Sequence, residues 1–332
     1  MSDYPVRYES DILLRDGSTL HLRPIKPDDV NALLEFHKRL SPRSVYFRYF
    51  SPLPELSEER AKVLSIVDYH NTFALVGELA GRLVGVARYY RDEKAPDRAE
   101  VAFLIEDALQ GRGIATRMLE RLAEIAREKG VTTFDAYVLG DNRKMMDVFM
   151  HTGFAVERRL DGGVFQVSFP ITPTPEYEEK AALRSQMAAR ASMKAFFEPQ
   201  SIAVVGAGRK RGGIGAEVFH NLVAAGFQGV VYPVNENARV VGSVTAYPRV
   251  TDIPGEVDLA IVVVPAEDAA AVVDDCITKG VHGIVVISAG FSETGAEGRA
   301  REATLVEKVR DAGVRMIGPN CMGTSTPIRR WP

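Results

Sequence analysis

The stretch from Arg98 to Leu119, RAEVAFLIEDALQGRGIATRML, most constrains what this chain can fold into. AEVAFLI reads as a strand, and the residues from Gly111 read as the start of a long helix. Between them lies the turn Gln110-Gly111-Arg112-Gly113-Ile114-Ala115. A strand, a tight Gly-rich turn and a helix start make an anion site. The first backbone N–H groups of a helix have no intrahelical partner, and the helix dipole places partial positive charge there. Gly111 and Gly113 remove side chains that would keep a phosphate from those amides, and Arg112 adds a formal charge for phosphate oxygens.

This turn resembles motif A of the GCN5-related N-acetyltransferases, Q/R-x-x-G-x-G/A, which cradles the pyrophosphate of acetyl-CoA. The resemblance implies cofactor contacts from Gln110, Gly111, Arg112 and Gly113, and from Ile114, Ala115 and Thr116 as the helix begins. It also implies that backbone N–H groups of Phe103, Leu104 and Ile105 bind the cofactor and polarise the thioester carbonyl, with their side chains in the core. A second match follows at Asn142, Met145, Phe149, Gly153 and Phe154, the spacing of the family's motif B, which makes Asn142 a further cofactor candidate. Phe149 departs from the pattern. Many members place there a tyrosine that protonates the leaving thiolate, so here either water supplies that proton or the thiolate leaves unaided.

The elements around these motifs fit the same fold. A hairpin turns at Asp16-Gly17, helices are expected at 27–40 and 56–67, and strands at 72–79, 82–90 and 100–106. A helix over 111–129, a strand over 132–139, a helix from Asn142 to Gly153 and strands over 154–160 and 163–169 complete an acetyltransferase domain at 11–172. Ser41 to Phe50, SPRSVYFRYF, reads as a packed helix under a neighbouring cleft in preference to a substrate-side wall.

A lysine amine, with pKa about 10.4, is mostly protonated at neutral pH and needs a base before it can attack a thioester. Glu100 is the candidate base. It opens the strand that leads into the pyrophosphate turn, and bacterial Pat-type lysine acetyltransferases, which this half resembles, carry their catalytic glutamate in the same A-E-[FV]-A context. Glu106 and Asp107 lie at the phosphate end of the strand, where a base would be misplaced.

Residues 173–197 read as a linker with an Ala-rich helix. From Ser201 onward, apolar strands alternate with helices: strands at 202–205, 229–234, 259–264, 283–287 and 315–317, helices at 215–225, 268–279 and 298–312. That alternation predicts a Rossmann-like, doubly wound parallel sheet over 198–325. The overall fold class is thus α/β: an α+β acetyltransferase domain with a mixed central sheet, then a parallel one. The first turn of the second domain, from Gly206 to Gly215, is no dinucleotide fingerprint, because a basic insertion displaces its third glycine and the second strand ends in Asn235 rather than an acid.

The second domain resembles the CoA-binding domain of NDP-forming acyl-CoA synthetases. The matching pieces are VGAG around Gly206 and Gly208, PVN ending in Asn235, VPA around Pro265, SAGF with Ser288 and Gly290, and GPNC with Pro319 and Asn320. With Gly215 these are its CoA-binding candidates. Arg209, Lys210 and Arg211 either contact CoA phosphates or form a solvated loop. The synthetases also need a phosphorylatable histidine and an ATP-grasp domain; His220 and His282 fall inside Rossmann elements instead. Residues 326–332 leave the family pattern, as in a truncated form of a longer protein.

Composition narrows the partners. A net charge of −3 gives no nucleic-acid signature. Cys276 and Cys321 stand far apart, which fits a reducing cytoplasm and gives no metal-ligand spacing. No apolar run approaches the roughly 20 residues of a membrane span. The expectation is an acetyl-CoA-dependent N-acetyltransferase acting on a protein lysine. Through the Pat resemblance the acceptor is an AMP-forming acyl-CoA synthetase, and the second domain serves as a CoA sensor. A fragment of an acyl-CoA synthetase, a small-amine acetyltransferase and a non-enzymatic CoA sensor are the alternatives.

Overall fold

The computed structural model describes residues 3–210 and 212–322 and divides into two units, Met1–Ala189 and Arg190–Pro332. The first opens with the hairpin β1 (Ser10–Leu13) and β2 (Thr19–Pro24), then helices α1 (Val30–Lys38), α2 (Pro42–Tyr49) and α3 (Glu58–Ser65). Next come β3 (Thr72–Leu79), β4 (Arg82–Arg91), β5 (Arg98–Ile105), α4 (Ile114–Glu128), β6 (Thr133–Leu139), α5 (Arg143–His151), β7 (Glu157–Asp161) and β8 (Val164–Pro170). The eight strands form one sheet in the order β1-β2-β3-β4-β5-β6-β8-β7. Among the described residues, β5 and β6 are its only parallel neighbours.

The strand period of two sends side chains to opposite faces, and each face is covered by helix. On one face α4 places Ile114, Met118, Leu119, Leu122, Ala123, Ile125 and Ala126, a stripe at helical spacing, on Phe73, Leu75, Tyr89 and Val101. On the other face Leu33 and Phe36 of α1 and Ala61 of α3 cover Ala74, Val76 and Val86. Several boundaries shift by one to three residues, and two of the shifts have a clear cause. Helix α4 starts at Ile114, not Gly111, because Gly111 and Gly113 are left-handed, with φ of 84° and 88°. Strand β7 starts at Glu157, not Phe154, whose ring is buried and stacks on Tyr177 with centroids 4.4 Å apart.

Tyr177 belongs to α6 (Pro175–Phe197), which occupies almost the whole of the segment expected as a linker with a helix. Its Phe196 lies in the core of the second unit. There, β9 (Ser201–Val205), α7 (Ile214–Ala224) and β10 (Val230–Val234) are followed by a small ribbon, β11 (Val240–Val241) with β12 (Val244–Thr245). Then come β13 (Leu259–Val262), α8 (Ala266–Lys279), β14 (Gly283–Val286), α9 (Ala296–Ala312) and β15 (Arg315–Ile317). The sheet is wholly parallel, in the order β10-β9-β13-β14-β15. Phe219 of α7 packs in one cluster, and α8 and α9 supply Val273, Cys276, Leu305 and Val309 to another. This is the doubly wound arrangement, with the strand order reversing between β9 and β13. The predicted tail at 326–332 lies outside the described residues.

Candidate active site

The site of the first unit is made by the divergence of two strands. β4 and β5 pair without interruption from Gly85↔Ile105 to Arg91↔Ala99. β5 and β6 pair only over Arg98↔Thr133, Ala99↔Phe134 and Glu100↔Asp135, then separate. Hydrogen bonds at both ends of the β4 ladder, Glu106 N–H to Val84 O and Asp92 N–H to Arg98 O at 2.9 Å each, assign the even residues of β5 to β4. Backbone groups alternate in direction along a strand. Val101, Phe103 and Ile105 therefore turn their amides and carbonyls into the open wedge. Leu104 turns its amide toward Val86, so of the three expected backbone contacts Phe103 and Ile105 face the wedge and Leu104 does not.

A cavity of about 1350 Å³ fills this wedge and runs to the Gly-rich turn. Ligand pockets commonly hold roughly 300–1,000 Å³, so a ligand as long as a CoA thioester fits. Phe103 and Leu104 line it and are half-buried rather than core, because β6 has left their side of the sheet; Ile105 is buried as expected. The turn from Gln110 to Ala115, Thr116 and Asn142 all line the same cavity. An added Cβ on Gly111 or Gly113 would meet no atom within 4 Å. These glycines thus serve the backbone shape and keep the space over the α4 N-terminus open, which is what a phosphate cradle needs.

Other polar groups brace the turn. Gln110 Nε2 donates to Ile105 O and to Ser44 Oγ, both at 3.2 Å, and its Oε1 accepts from Lys144 Nζ at 3.0 Å. Asp107 accepts from the Ser41 amide (2.8 Å) and from the Ser41 and Ser44 hydroxyls (2.7 Å each), tying the start of α2 to the end of β5. Burial raises the Asp107 pKa, but these hydrogen bonds outweigh it and leave the carboxyl below its ordinary value. Glu106 is buried and paired with Arg39 at 2.9 Å and Arg82 at 3.3 Å. Asn142 Oδ1 caps α5 by accepting from the Met145 amide at 3.2 Å. Arg112 differs from expectation: its donors go to Asp16 and to Ser18 Oγ (2.9 Å) in the β1–β2 turn. Arg15, Arg143 and Lys144, which sequence reasoning missed, also line the cavity.

Glu100 stands where the strands part. Its side chain is exposed, makes no hydrogen bond or ion pair among the described residues, feels the charge of Arg48, and lines both the main cavity and a second one of about 490 Å³ on the far side. Its cross-strand neighbours are Tyr90 on β4 and Asp135 on β6, and Asp135 is held by Arg98. Helix α2 forms a wall of the main cavity through Ser44, Phe47, Arg48 and Tyr49, so the wall reading of SPRSVYFRYF describes it better than the packed-helix reading. Phe149 is buried against Phe103 and Phe169, with centroids 6.2 and 5.4 Å apart, and offers no hydroxyl to the wedge.

The candidates of the second unit gather at the C-terminal ends of its strands, where open α/β sheets bind ligands. Gly206 and Gly215 allow a close approach: a Cβ on Gly215 would sit 2.2 Å from Gly206 O, and one on Gly206 would sit 2.2 Å from Val263 O. Asn235 Nδ2 donates to Ala207 O at 2.9 Å and Ser288 Oγ to Val264 O at 2.5 Å, so both brace neighbouring loops. Asn320 joins them through its amide, 2.9 Å from Ser288 O. Pro265 precedes the first residue of α8, the Gly290 and Phe291 amides donate to Glu293 Oε1 at 2.6 and 3.2 Å, and Gly208 and Pro319 lie on the turns after β9 and β15. Arg209 and Lys210 are exposed; Arg211 lies outside the described residues.

Each unit matches a known family model. Residues 19–155 match the acetyltransferase (GNAT) domain model. The first unit is an acetyltransferase domain of the GNAT family. Residues 200–327 match a CoA-binding domain model. The chain is 32% identical over 164 residues to the acetyltransferase Pat of Mycolicibacterium smegmatis, covering 49% of each protein. It is 50% identical over 129 residues to the α subunit of ADP-forming acetate–CoA ligase II of Pyrococcus furiosus, covering 39% of this chain and 28% of that one. The crystal structure of the GNAT domain of S. lividans PAT is 38% identical, covers 51% of this chain and 99% of that one, and superposes with a TM-score of 0.48. The chain thus spans about half of the Pat relative and less than a third of the ligase subunit. Acetyl-CoA is the acyl donor of the GNAT domain. Among the described residues, no helix is long and apolar enough to cross a membrane.

Proposed function

We propose that the GNAT domain transfers an acetyl group to the Nε-amine of a protein lysine, with Glu100 as general base. One observation carries this reading: an unpaired carboxylate stands where β5 and β6 part, beside open backbone groups and at the far end of a cavity from a helix N-terminus. The helix start at Gly113–Ala115 and the open space over Gly111 and Gly113 would hold the diphosphate, with Arg15, Arg143 and Lys144 as charged partners. The thioester supplies an acyl group already activated for transfer.

The remaining work belongs to the protein. Glu100 takes a proton from the lysine ammonium, directly or through one water. The Phe103 amide, free of any β6 partner, polarises the acyl carbonyl. The new C–N bond replaces the C–S bond, and solvent protonates the leaving thiolate because Phe149 cannot. The second cavity, across Glu100 from the first, admits the acceptor without displacing the donor. The Pat likeness supports an AMP-forming acyl-CoA synthetase as acceptor, and the CoA-binding domain would report CoA or acyl-CoA levels to the GNAT domain.

Replacing Glu100 by Gln tests this. General-base help is typically worth about 10²–10⁴-fold, so transfer to protein lysines from labelled acetyl-CoA falls by that order while acetyl-CoA still binds. A mutant with full activity removes Glu100 from the role.

A further inference from the structure

The face of the sheet that carries Glu100 holds a second, smaller feature. On this face β5 presents Glu100, Ala102 and Leu104, and their β4 neighbours are Tyr90, Arg88 and Val86. Same-face neighbours on paired strands have Cβ atoms roughly 4.5–5.5 Å apart, so Arg88 lies directly beside Ala102. Beneath α1, α2 and α3 these residues enclose a cavity of about 30 Å³. It shares Arg48, Tyr49, Ala102 and Leu104 with the main cavity, so the two adjoin along β5.

This small cavity is rich in positive charge and poor in partners. Arg88 is 4% exposed, and its guanidinium donates to neutral acceptors, Tyr90 Oη and Leu64 O, each at 3.0 Å. Arg48 sits 5.2 Å from the centroid of the Tyr49 ring. Among the described residues, no carboxylate pairs with either guanidinium. His37 is 6% exposed, lines the same cavity, and its Nε2 is sealed from solvent without a hydrogen-bond partner. Burial, and then the charge of Arg60, hold the His37 pKa below its ordinary value. A buried guanidinium with only neutral acceptors, Arg88, and a half-buried one, Arg48, whose charge is favoured by just one carboxylate, Glu100 at the edge of the main cavity, lie next to an orphaned ring nitrogen and cost stability that an apolar pocket for a methyl group would not incur. A room of about 30 Å³ is more than one water needs and suits the two oxygens of a carboxylate.

The geometry points to an acyl-binding pocket for a carboxylate: the GNAT domain accepts acyl-CoA whose short acyl chain ends in a carboxylate, held by Arg48, Arg88 and His37. This rests on the reading that the thioester lies in the wedge beside Phe103. An acyl chain turned from there toward the Glu100 face passes Ala102 and Leu104 and ends at the guanidinium groups. The amine arrives from the opposite direction, at Glu100, so acyl chain and acceptor do not compete. Arg gives planar, bidentate recognition of carboxylate, and both arginines lie on elements anchored in the core.

The test compares two unreactive CoA thioethers of equal chain length, S-(3-carboxypropyl)-CoA and S-butyl-CoA, bound to the full chain. The carboxylated analogue is expected to bind roughly 10- to 100-fold tighter, the worth of one or two charge-assisted hydrogen bonds. In Arg48→Met the ratio of the two affinities falls toward one. A purely structural role of Arg48 would weaken both together and leave the ratio unchanged, which overturns the assignment. The CoA-binding domain is identical in both proteins, so a changed ratio belongs to the GNAT domain. A crystal structure with the carboxylated analogue must place its carboxylate against Arg48 and Arg88. A carboxylate left in solvent, with only water in the small cavity, overturns the pocket while the wedge reading survives. Neither analogue in the wedge overturns both. Free succinate seated in the pocket without any CoA would give the site to a free carboxylate instead and overturn the acyl-chain assignment.

Discussion

Gly113 offers a substitution whose effects on folding and on binding can be separated. Its φ is 88°, and a Cβ built on it meets nothing within 4 Å. Alanine there is strained by backbone conformation alone, at about 1–2 kcal/mol. For a domain of 150–250 residues that lowers Tm by ~2–4 °C per kcal/mol. Gly130 is a matched control: its φ is 84°, a Cβ on it also meets nothing within 4 Å, and it follows the other end of α4. A helix of 15 residues puts it ~22 Å from the turn. Gly113→Ala and Gly130→Ala should therefore lose similar stability in urea. Only Gly113→Ala places a methyl group over the amides proposed to hold the diphosphate. Losing one or two charge-assisted hydrogen bonds, at about 1.5–3 kcal/mol each, weakens acetyl-CoA binding by roughly tenfold or more. Denaturation curves and the acetyl-CoA KM in transfer measure the two effects. Equal KM in the two variants would refute the reasoning, because strain would then be the whole effect.

Two further outcomes follow from buried charge. Glu120 accepts from Arg117 at 2.7 Å and from Arg184 Nε at 2.8 Å, and its side chain is 8% exposed. Glu120→Ala leaves both guanidinium groups without their shared carboxylate and should cost about 3–5 kcal/mol, read from urea denaturation of the full chain. The pKa of Asp107 is lower in the folded chain than its ordinary 3.8, so its contribution is complete above pH 3.8 and is lost as pH falls through the folded value. Asp107→Asn should reduce stability at neutral pH and flatten its dependence on pH below 3.8, measured as denaturation midpoints across an acid series.

The sequence made the layout legible where the signal is local. Apolar runs from Ser201 onward alternate with helices and could build little but a parallel sheet. The glycines at 111 and 113, set between a strand and an amphipathic helix, marked the turn. What it hid depends on distant partners. Arg112 reads as a phosphate ligand until Asp16, 96 residues away, is seen to take its donors. SPRSVYFRYF has the aromatic content of a packed helix, and only the parting of β5 from β6 makes its inner side a cavity wall. The three-residue start of α4 was misjudged because left-handed glycines are indistinguishable by composition from helical ones. Phe103 and Leu104 belong to an apolar run that looks like core, and they are half-exposed because a neighbouring strand departs. The small pocket draws residues from five separate elements, and no spacing in the chain announces it.

The central claim is that the parted strands hold a thioester between the amides of the α4 N-terminus and the carboxylate of Glu100. A crystal structure of the chain with acetyl-CoA tests it most directly. The account predicts the diphosphate within hydrogen-bond distance of the amides at Gly111–Ala115, and the acetyl carbonyl on the Phe103 amide. Glu100 should then face the thioester directly or through one water. A diphosphate bound elsewhere in the first unit, or a thioester sulfur remote from Glu100 with no water linking them, would contradict it.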